Sequence, residues 1–163
     1  NPRVCLLSNG AENEKGNELI KAANAELRNM EINFVGNAEG RDILSGDFDV
    51  VVADGFNGNI ALKSAEGTAN SVFSLLKAEI SKSIRAKIGA LFMMKAFKAL
   101  KKSMDYTEHG GAAFLGIVKP IVKTHGSTKA KSLAASILQA KKMAATHVTQ
   151  GLAEKLKVYI KDE

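Results

Sequence analysis

Short apolar runs alternate with amphipathic stretches over the first third of the chain. Val4 to Leu7, Ile32 to Gly36 and Asp49 to Ala53 have the length and composition that predict β-strands. Glu18 to Leu27 carries apolar residues at helical spacing, and Glu39 to Leu44 predicts a short helical turn. The third run is continuously apolar after its first residue, which is typical of a parallel strand buried on both faces. The alternation predicts right-handed βαβ units and an α/β fold.

The rest of the chain has a mostly helical pattern. No proline interrupts Asn59 to about Lys102, and small and apolar residues at helical spacing predict a long helix there. We expect Gly89 to divide it into two. After a break at Gly110-Gly111, the predicted elements are strands at 113–118 and 121–124, on either side of Pro120, and a last helix from about Ser127 towards Ile160.

Composition supports a folded protein. The chain has 163 residues, 45% of them hydrophobic, so we expect 1–163 to be a single α/β domain or the C-terminal part of one. Its net charge of +6 suits an acidic partner, an anionic membrane face or nucleic acid. Cys5, the only cysteine, lies in an apolar run, which predicts a buried thiol and a reducing compartment. With no stretch long enough to span a bilayer and no signal-peptide pattern, a soluble or peripheral protein is expected.

The segment from Ile84 to Met104 is amphipathic on a helical wheel. Its basic side carries Lys87, Lys95, Lys98, Lys101 and Lys102. Its other arc carries Ile88, Phe92, Met93, Ala96, Phe97, Leu100 and Met104, with Leu91 and Met94 at the basic edge. This pattern is typical of an interfacial helix that attracts anionic lipid. It is also the pattern of a helix packed on its own domain or on a dimer mate, which the wheel alone favours.

Candidate chemistry lies where the predicted strands end. The third strand leads into Asp54-Gly55-Phe56-Asn57-Gly58-Asn59, a glycine-rich turn that would aim backbone N–H groups at an anion. After the first strand, in Glu14-Lys15-Gly16-Asn17-Glu18, Lys15 could neutralise a phosphate or oxyanion while Asn17 and Glu18 position it. The alternative is a solvated turn with Asn17 as helix N-cap. Asn37, Glu39, Gly40 and Arg41 follow the second strand, so three loops at one sheet edge predict a phosphate site.

Other candidate groups carry less information. Lys63 lies one turn into the helix expected to open at Asn59, facing either the site or solvent. His125-Gly126-Ser127 precedes the last helix as a phosphate-binding start or with Ser127 as a cap. His109 and His147 have no partners at metal-ligand spacing, so no metal is expected. Gly-x-Ser-x-Gly and P-loop motifs are absent, which argues against a serine hydrolase and a nucleotide triphosphatase.

Five short motifs in order along the chain resemble the C-terminal half of the phosphate acyltransferase family of bacterial phospholipid synthesis. They are Glu14-Lys15-Gly16-Asn17-Glu18; Asn33-Phe34-Val35-Gly36-Asn37 with Glu39-Gly40-Arg41-Asp42; Val50-Val51-Val52 with Asp54-Gly55-Phe56-x-Gly58-Asn59; Asp105-Tyr106 with Gly110-Gly111-Ala112; and Lys123-x-His125-Gly126-Ser127. The resemblance implies a three-layer α/β/α sandwich similar to isocitrate and isopropylmalate dehydrogenases, with a protruding amphipathic helical segment. It also implies a homodimer on the cytoplasmic membrane face.

The activity implied is an acyltransferase reaction of fatty acid and lipid metabolism, without a cofactor. A long acyl chain passes from acyl carrier protein to inorganic phosphate, and a membrane glycerol-3-phosphate acyltransferase then uses the acyl phosphate. On this resemblance, Lys15 and Asn59 are the leading catalytic candidates, with Asn59 and backbone N–H groups near Gly58 orienting phosphate and Asp54 holding the turn or a lysine. The remaining substrate-binding candidates are Asn17, Glu18, Asn37, Arg41, Gly55, Gly58, Lys63 and His125.

The resemblance also shifts the interpretation of the amphipathic segment towards membrane contact through Leu91, Phe92, Phe97 and Leu100. Two alternatives stay open. One is a phosphotransacetylase-like or dehydrogenase-like enzyme on the same fold, although no Gly-x-Gly-x-x-Gly is present. The other is a non-catalytic basic module binding nucleic acid, which the low aromatic content disfavours, so no nucleic acid partner is expected.

The family's N-terminal half has no counterpart in this sequence. The chain begins Asn1-Pro2-Arg3 without an initiator methionine, as a fragment or a processed form would. We therefore expect a piece that is inactive by itself and a sheet with an open edge that needs a partner.

Overall fold

The computed structural model describes residues 1–103, 110–126 and 128–159. It divides into two compact units, residues 1–82 and 83–163. The first unit contains β1 (Val4–Leu7), α1 (Glu18–Arg28), β2 (Phe34–Ala38), a 3₁₀ turn (Gly40–Asp42), β3 (Val50–Val52) and α2 (Gly55–Ser81). The second contains α3 (Ile84–Ser103), β4 (Ala112–Phe114), β5 (Ile121–Lys123), α4 (Ala130–Ala145) and α5 (Val148–Leu156).

The first unit confirms the predicted α/β organisation. Its three strands are parallel in the order β2-β1-β3, so α1 crosses from the central strand to one neighbour. All four residues of β1 are buried, and Ile20 of α1 and Ala38 of β2 complete the small core around it. Because parallel strands point the same way, the loops that follow them meet at one edge.

The second strand lies two residues later than predicted, at 34–38 instead of 32–36. Ile32 belongs to a turn in which its amide donates to the Met30 carbonyl at 2.8 Å. Within β2, Val4 pairs with Phe34 but Cys5 pairs with Gly36, so one residue is skipped. Gly36 has a φ of 102°, and this left-handed conformation makes the bulge possible.

The expectation that β3 is buried on both faces was wrong. The exposed fraction is 44% for Val50 and 36% for Val52. Within the described part of the chain, β3 pairs with β1 alone, so it is an edge strand whose apolar side chains are partly open to solvent. The apolar composition of β3 fits a strand covered on both faces, but the described residues cover its side chains only in part.

The long helical stretch begins and breaks at different places from those predicted. It begins at Gly55 instead of Asn59, because the side chain of Asp54 caps it. The stretch breaks after Ser81, with Lys82 as the C-cap of α2, instead of at Gly89, and α3 begins at Ile84. Ser83 Oγ accepts from the Ala86 amide at 3.4 Å, and the Ser83 carbonyl accepts from the Lys87 amide. A capping serine therefore divides the two helices, while Gly89 lies within α3.

In the second unit, β4 and β5 form an antiparallel pair, with Ala113 opposite Val122. Both strands are shorter than predicted, and α4 packs on β5. The predicted single last helix was wrong: α4 and α5 are separated at His147, whose φ of 51° is left-handed and interrupts the helix. Ser127, Asp105, Tyr106, His109 and Met104 lie outside the described residues.

The amphipathic segment forms α3. Ala86, Ala90 and Phe97 are half-buried, and they lie along one line of the helix. Phe92 is 87% exposed and Leu91 is 68% exposed, while Leu100 is also exposed. The four predicted membrane-contact residues therefore divide into three exposed side chains and one half-buried phenyl ring.

Candidate active site

A cavity of about 430 Å³ lies beyond the carboxyl end of β1 in the first unit. It is bounded by the β1–α1 loop, the first turn of α1, the loop after β2 and the first turns of α2. The lining residues are Leu7, Ser8, Asn9, Gly16, Asn17, Ile20, Gly40, Asn57, Ile60 and Ala61. The predicted convergence of three strand-to-helix loops is therefore present in the structure.

Asn17 lines this cavity and caps α1. Its backbone is extended, and its side-chain Oδ1 accepts a hydrogen bond from the Ile20 amide at 3.0 Å. Gly16, immediately before it, has a φ of 102°, and a Cβ there would lie 2.5 Å from Ile20 Cγ2. Glycine is required at this position because a side chain would be both strained and overlapped by the core. The capping interpretation of this motif is thus correct, and it places the cap at a cavity wall.

Lys15 precedes this left-handed glycine and has an exposed side chain. Its amide donates to the Glu12 carbonyl at 3.1 Å, which closes a turn. Its side-chain stem lies against the backbone of Gly10, where a Cβ would come within 2.6 Å of Lys15 Cγ. Across the described ranges no carboxylate forms an ion pair with the Lys15 ammonium. Glu18, at the start of α1, is exposed and pairs with Lys21 at 3.5 Å.

Asn37 is buried at the carboxyl end of β2 and does not line the cavity. Its Oδ1 accepts from Asn24 Nδ2 at 2.8 Å, and its Nδ2 donates to the Glu12 carbonyl at 2.8 Å. Both ends of this amide are therefore used inside the protein. Asn37 supports the loop that carries Lys15, which is a different role from the predicted contact with substrate.

Asp54 holds the first turn of α2, one of the two roles predicted for it. Its Oδ1 accepts from the amides of Phe56 and Asn57, both at 2.9 Å, and its Oδ2 accepts from Asn57 Nδ2 at 2.5 Å. The Asn57 amide and side chain, with a smaller contribution from the Phe56 amide, lower the pKa of Asp54. The carboxylate is ionised at neutral pH and occupies the N-terminus of α2.

Backbone N–H groups near Gly58 were predicted to orient phosphate, and the amide of Gly58 itself is used inside α2. It donates to the Asp54 carbonyl at 2.9 Å, because Gly58 already belongs to the helix. Gly55 is likewise the first residue of α2 and not part of a loop.

The α2 residues at the cavity are Asn57, Ile60 and Ala61. Asn59 is exposed and lies outside the cavity lining. Lys63, four residues further along, shares the face of Asn59 and pairs with Glu66 at 2.8 Å. The structure thus brings Asn57, and not Asn59, to the cavity wall.

Arg41 lies in the 3₁₀ turn after β2 with an exposed guanidinium. It forms ion pairs with Glu39 and, at 3.8 Å, with Asp42. The neighbouring Gly40 contributes the cavity wall at this point. From this loop, Gly40 therefore lines the cavity, while Arg41 does not and pairs with neighbouring carboxylates.

His125 belongs to the second unit and is exposed. Its carbonyl accepts from the Thr128 amide at 3.1 Å and from the Thr128 hydroxyl, which shapes the turn before α4. In the described residues, no group of three histidine, cysteine, aspartate or glutamate side chains lies together as a metal site would require. Burial raises the pKa of the Cys5 thiol, so Cys5 is a neutral core side chain.

The two helix N-termini at the cavity differ in charge. At α2 an ionised carboxylate already accepts two amides. At α1 the cap is a neutral amide that accepts one, and a lysine lies two residues before the cap. The positive end of the α1 dipole and the Lys15 ammonium both favour an anion. The arrangement can hold a phosphate against α1 and stabilise an oxyanion beside it.

Several lining residues were not among the predicted site residues. Ser8 and Asn9 directly follow β1, so their position at the strand's carboxyl end was the signal that could have identified them. Asn57 belongs to the predicted motif from Asp54 to Asn59, but it lies on a different face of α2 from Asn59, the residue that was predicted. Asn24 had no sequence signal, because a polar residue within an amphipathic helix is normally assigned to its solvent face.

Comparisons with known proteins identify the family of this chain. The fatty acid synthesis protein family model matches residues 1–151. The phosphate acyltransferase of Thermoanaerobacter pseudethanolicus is 50% identical over 155 residues, which are 95% of this chain and 47% of that protein. The phosphate acyltransferase of Shouchella clausii is 47% identical, with 96% of this chain and 47% of that protein covered. That of Geobacillus thermodenitrificans is 49% identical, with coverages of 91% and 45%.

The chain spans about half the length of the curated relatives it matches. The family match covers nearly all of the chain, including both loops that carry Lys15 and Asp54. The resemblance drawn from the five motifs is confirmed, and the chain belongs to the fatty acid synthesis protein family.

Proposed function

We propose that this chain works in a phosphate acyltransferase, which transfers an acyl group from acyl carrier protein to inorganic phosphate in phospholipid synthesis. The observation that carries the proposal is the neutral, Asn17-capped N-terminus of α1 at the cavity wall. Lys15 does not line the cavity, but it lies in the loop two residues before the cap and directly before Gly16, which does line it. Three relatives near 50% identity are named phosphate acyltransferase, which supports the same reaction. The chain's positive charge suits an acidic carrier protein and a dianionic substrate.

In this reaction a phosphate oxygen attacks the thioester carbonyl carbon. A tetrahedral oxyanion forms, the C–S bond then breaks, and the carrier thiol leaves as a thiolate that takes up a proton. The difficulty is to bring a dianion against a carbonyl that develops negative charge. The Lys15 ammonium and the amides opening α1 reduce that repulsion, because fixed positive charge and dipoles stabilise the transition state without reorganising.

The other candidate residues divide between two surfaces of the first unit. Asn17, Gly40 and Asn57 contact the phosphate cavity itself. Asn59 and Lys63, on another face of α2, take the acyl thioester, and Arg41 and Glu18 set the charge at the rim. Gly55, Gly58 and Asp54 shape the start of α2, and Asn37 supports the Lys15 loop. His125, at the turn before α4 in the second unit, is a separate candidate for binding phosphate.

The complete enzyme is a homodimer with a three-layer α/β/α sandwich, in which strands from outside this chain pair with the open edge of β3. It acts at the cytoplasmic face of an anionic membrane and passes acyl phosphate to a glycerol-3-phosphate acyltransferase. The exposed Leu91, Phe92 and Leu100 of α3 insert into that surface, and its lysines attract the headgroups. In the described residues, the helices are all too short or too polar to cross a bilayer.

The deciding experiment measures acyl phosphate formation from palmitoyl acyl carrier protein and phosphate. The chain is assayed alone and with the half of the Thermoanaerobacter pseudethanolicus relative that it does not match. We expect turnover in the mixture. Lys15→Ala should lower kcat roughly 100-fold, because a single oxyanion-stabilising group contributes about that much. Lys21→Ala, which removes an exposed lysine on α1 outside the cavity, should stay within about two-fold, as a minor surface ion pair would.

Full turnover by Lys15→Ala would remove the role of Lys15. Turnover of acetyl coenzyme A, with none of the acyl carrier protein thioester, would favour the phosphotransacetylase-like alternative. Folded protein that forms no acyl phosphate in any mixture would contradict the proposed reaction.

A further inference from the structure

A polar chain of side chains runs beneath the Lys15 loop. Arg28 Nε donates to Asn24 Oδ1 at 2.9 Å, Asn24 Nδ2 donates to Asn37 Oδ1 at 2.8 Å, and Asn37 Nδ2 donates to the Glu12 carbonyl at 2.8 Å. Asn24 is 3% exposed and Asn37 is 7% exposed. These buried amides connect α1, the end of β2 and the β1–α1 loop.

The donor and acceptor of every hydrogen bond in this series are fixed by the groups at its two ends. Arg28 can only donate, and the Glu12 carbonyl can only accept. Asn24 must therefore present its oxygen to Arg28 and its nitrogen to Asn37, and Asn37 must present its nitrogen to Glu12. Reversing either amide would place two acceptors or two donors face to face in a buried site, which is costly.

This series of hydrogen bonds ends at the turn that contains Lys15. The Glu12 carbonyl accepts from Asn37 Nδ2 and also from the Lys15 amide at 3.1 Å. Arg28 reinforces the same loop, because its Nη2 donates to Asn13 Oδ1 and its guanidinium lies 5.7 Å from the centre of the Phe34 ring. The long loop is thus held at two consecutive residues just before its lysine.

We propose that Asn24 and Asn37 are positioning residues that, through the Glu12 carbonyl, hold the turn from which Lys15 extends next to the cavity residue Gly16. The effect of this positioning on turnover rests on the proposed function, since the position of Lys15 matters only if Lys15 acts on the reacting phosphate. Neither amide touches substrate. They act by fixing the turn from which the ammonium extends.

Two volume-conserving variants test this tether. In Asn37→Asp, one carboxylate oxygen still accepts from Asn24, but the other faces the Glu12 carbonyl without a proton to donate. In Asn24→Asp, the bond from Arg28 is kept, and Asn37 must then oppose an acceptor on one side or the other. Asn29→Asp is the matched control, because Asn29 is exposed at the end of α1 and its side chain donates only to the Ala25 carbonyl.

The first measurement is hydrogen exchange of the Lys15 amide in the 163-residue chain. We expect exchange at least ten-fold faster in Asn24→Asp and Asn37→Asp, and unchanged in Asn29→Asp. The second is kinetics in the two-part assay. Both tether variants should lower kcat at least ten-fold, with KM for the acyl thioester within two-fold, at a temperature where circular dichroism shows each variant folded. Their melting temperatures should fall, because each variant leaves a buried acceptor unpaired, whereas loss of the fold would also abolish the circular dichroism signal at the assay temperature.

Unchanged exchange at Lys15 in both tether variants would overturn the proposal, and so would faster exchange with an unchanged kcat. Failure of the proposed function has a different signature: the unchanged chain would form no acyl phosphate, or Lys15→Ala would retain full turnover. The exchange experiment decides whether the tether exists in either case, because it requires no activity.

Discussion

The two strand-to-helix junctions at the cavity solve the same structural problem in opposite ways. Ten residues, 8–17, connect β1 to α1, whereas only Ala53 and Asp54 connect β3 to α2. The long junction ends in a neutral cap and carries one lysine, Lys15, and two glutamates, Glu12 and Glu14. The short junction ends in an ionised cap that accepts two helix amides and an amide side chain.

This difference shows why a helix N-terminus near a cavity is not by itself an anion site. Both helices direct the positive end of their dipole towards the cavity region. At α2 the Asp54 carboxylate has already taken that position, and the Gly58 amide is used within the helix. At α1 the cap is neutral, and the acidic residue of the first turn, Glu18, is exposed and pairs with Lys21, so no carboxylate caps the helix amides there and an anion can be accepted. The identity of the cap decides which helix can receive phosphate.

The largest expected difference between the junctions comes from glycine-to-alanine changes. Gly16→Ala should destabilise the first unit by about 2–4 kcal/mol, because it adds a strained left-handed residue and an overlap with Ile20 Cγ2. Gly55→Ala meets no atom within 4 Å and lies in helical conformation, so it should be neutral or stabilising by up to ~1 kcal/mol. Urea denaturation followed by circular dichroism measures both, and equal losses would contradict the comparison.

Exchanging the charges of the two caps tests the electrostatic part. Asn17→Asp keeps a good N-cap but adds a negative charge at the cavity wall, so phosphate affinity should fall roughly ten-fold. Asp54→Asn removes the negative charge while keeping a capping side chain. If phosphate binds at α1, this variant should change phosphate affinity by no more than about two-fold, because the cap of α2 then makes no contact with the phosphate.

Isothermal titration with inorganic phosphate provides the measurement. Circular dichroism of each variant confirms that the helices remain. A loss in Asp54→Asn that matches or exceeds that in Asn17→Asp would assign the phosphate to α2 instead and reverse the comparison.

The sequence predicted the short elements of the first unit better than its long helix, for a local reason. β1 and α1 are short elements with clear periodicity, and the Asn17 cap lies directly beside them. The boundaries that failed depended on capping side chains competing with glycine signals. Because Asp54 caps α2, this helix begins at Gly55, four residues earlier than predicted. The break in the long helical stretch comes at Ser83, which caps α3, and not at Gly89.

The site was predictable at the level of loops but not of side chains. Parallel strands bring their carboxyl ends together, which placed the cavity correctly. Choosing Asn57 over Asn59 required the helix to begin at Gly55, because the starting residue sets which face meets the cavity. The Asn24–Asn37 contact joins residues thirteen positions apart through buried amides. No periodicity encodes such a pair, since each asparagine taken alone resembles a solvent-facing residue.

A pair at the opposite ends of the same two strands provides the smallest test. Arg3 precedes β1 and Asp49 precedes β3, and the Arg3 amide and Nε donate to Asp49 Oδ2 at 2.7 and 3.1 Å. These bonds lower the pKa of Asp49 from 3.8 to about 2. A pKa lowered by folding means that the pair stabilises the folded state above 3.8 and that this contribution is lost as the pH falls towards about 2.

Asp49→Asn should therefore flatten the fall in unfolding free energy across that acid window, and urea titrations over this pH range check the slope. The effect should be small and should shrink with added salt, because both side chains are about half exposed. Phosphate affinity at neutral pH should not change, since this pair lies at the amino ends of the strands and the cavity lies beyond their carboxyl ends. A changed affinity would mean that the spacing of β1 and β3 controls the cavity. In that case the difference between the junctions would depend on the sheet beneath them as well as on their caps.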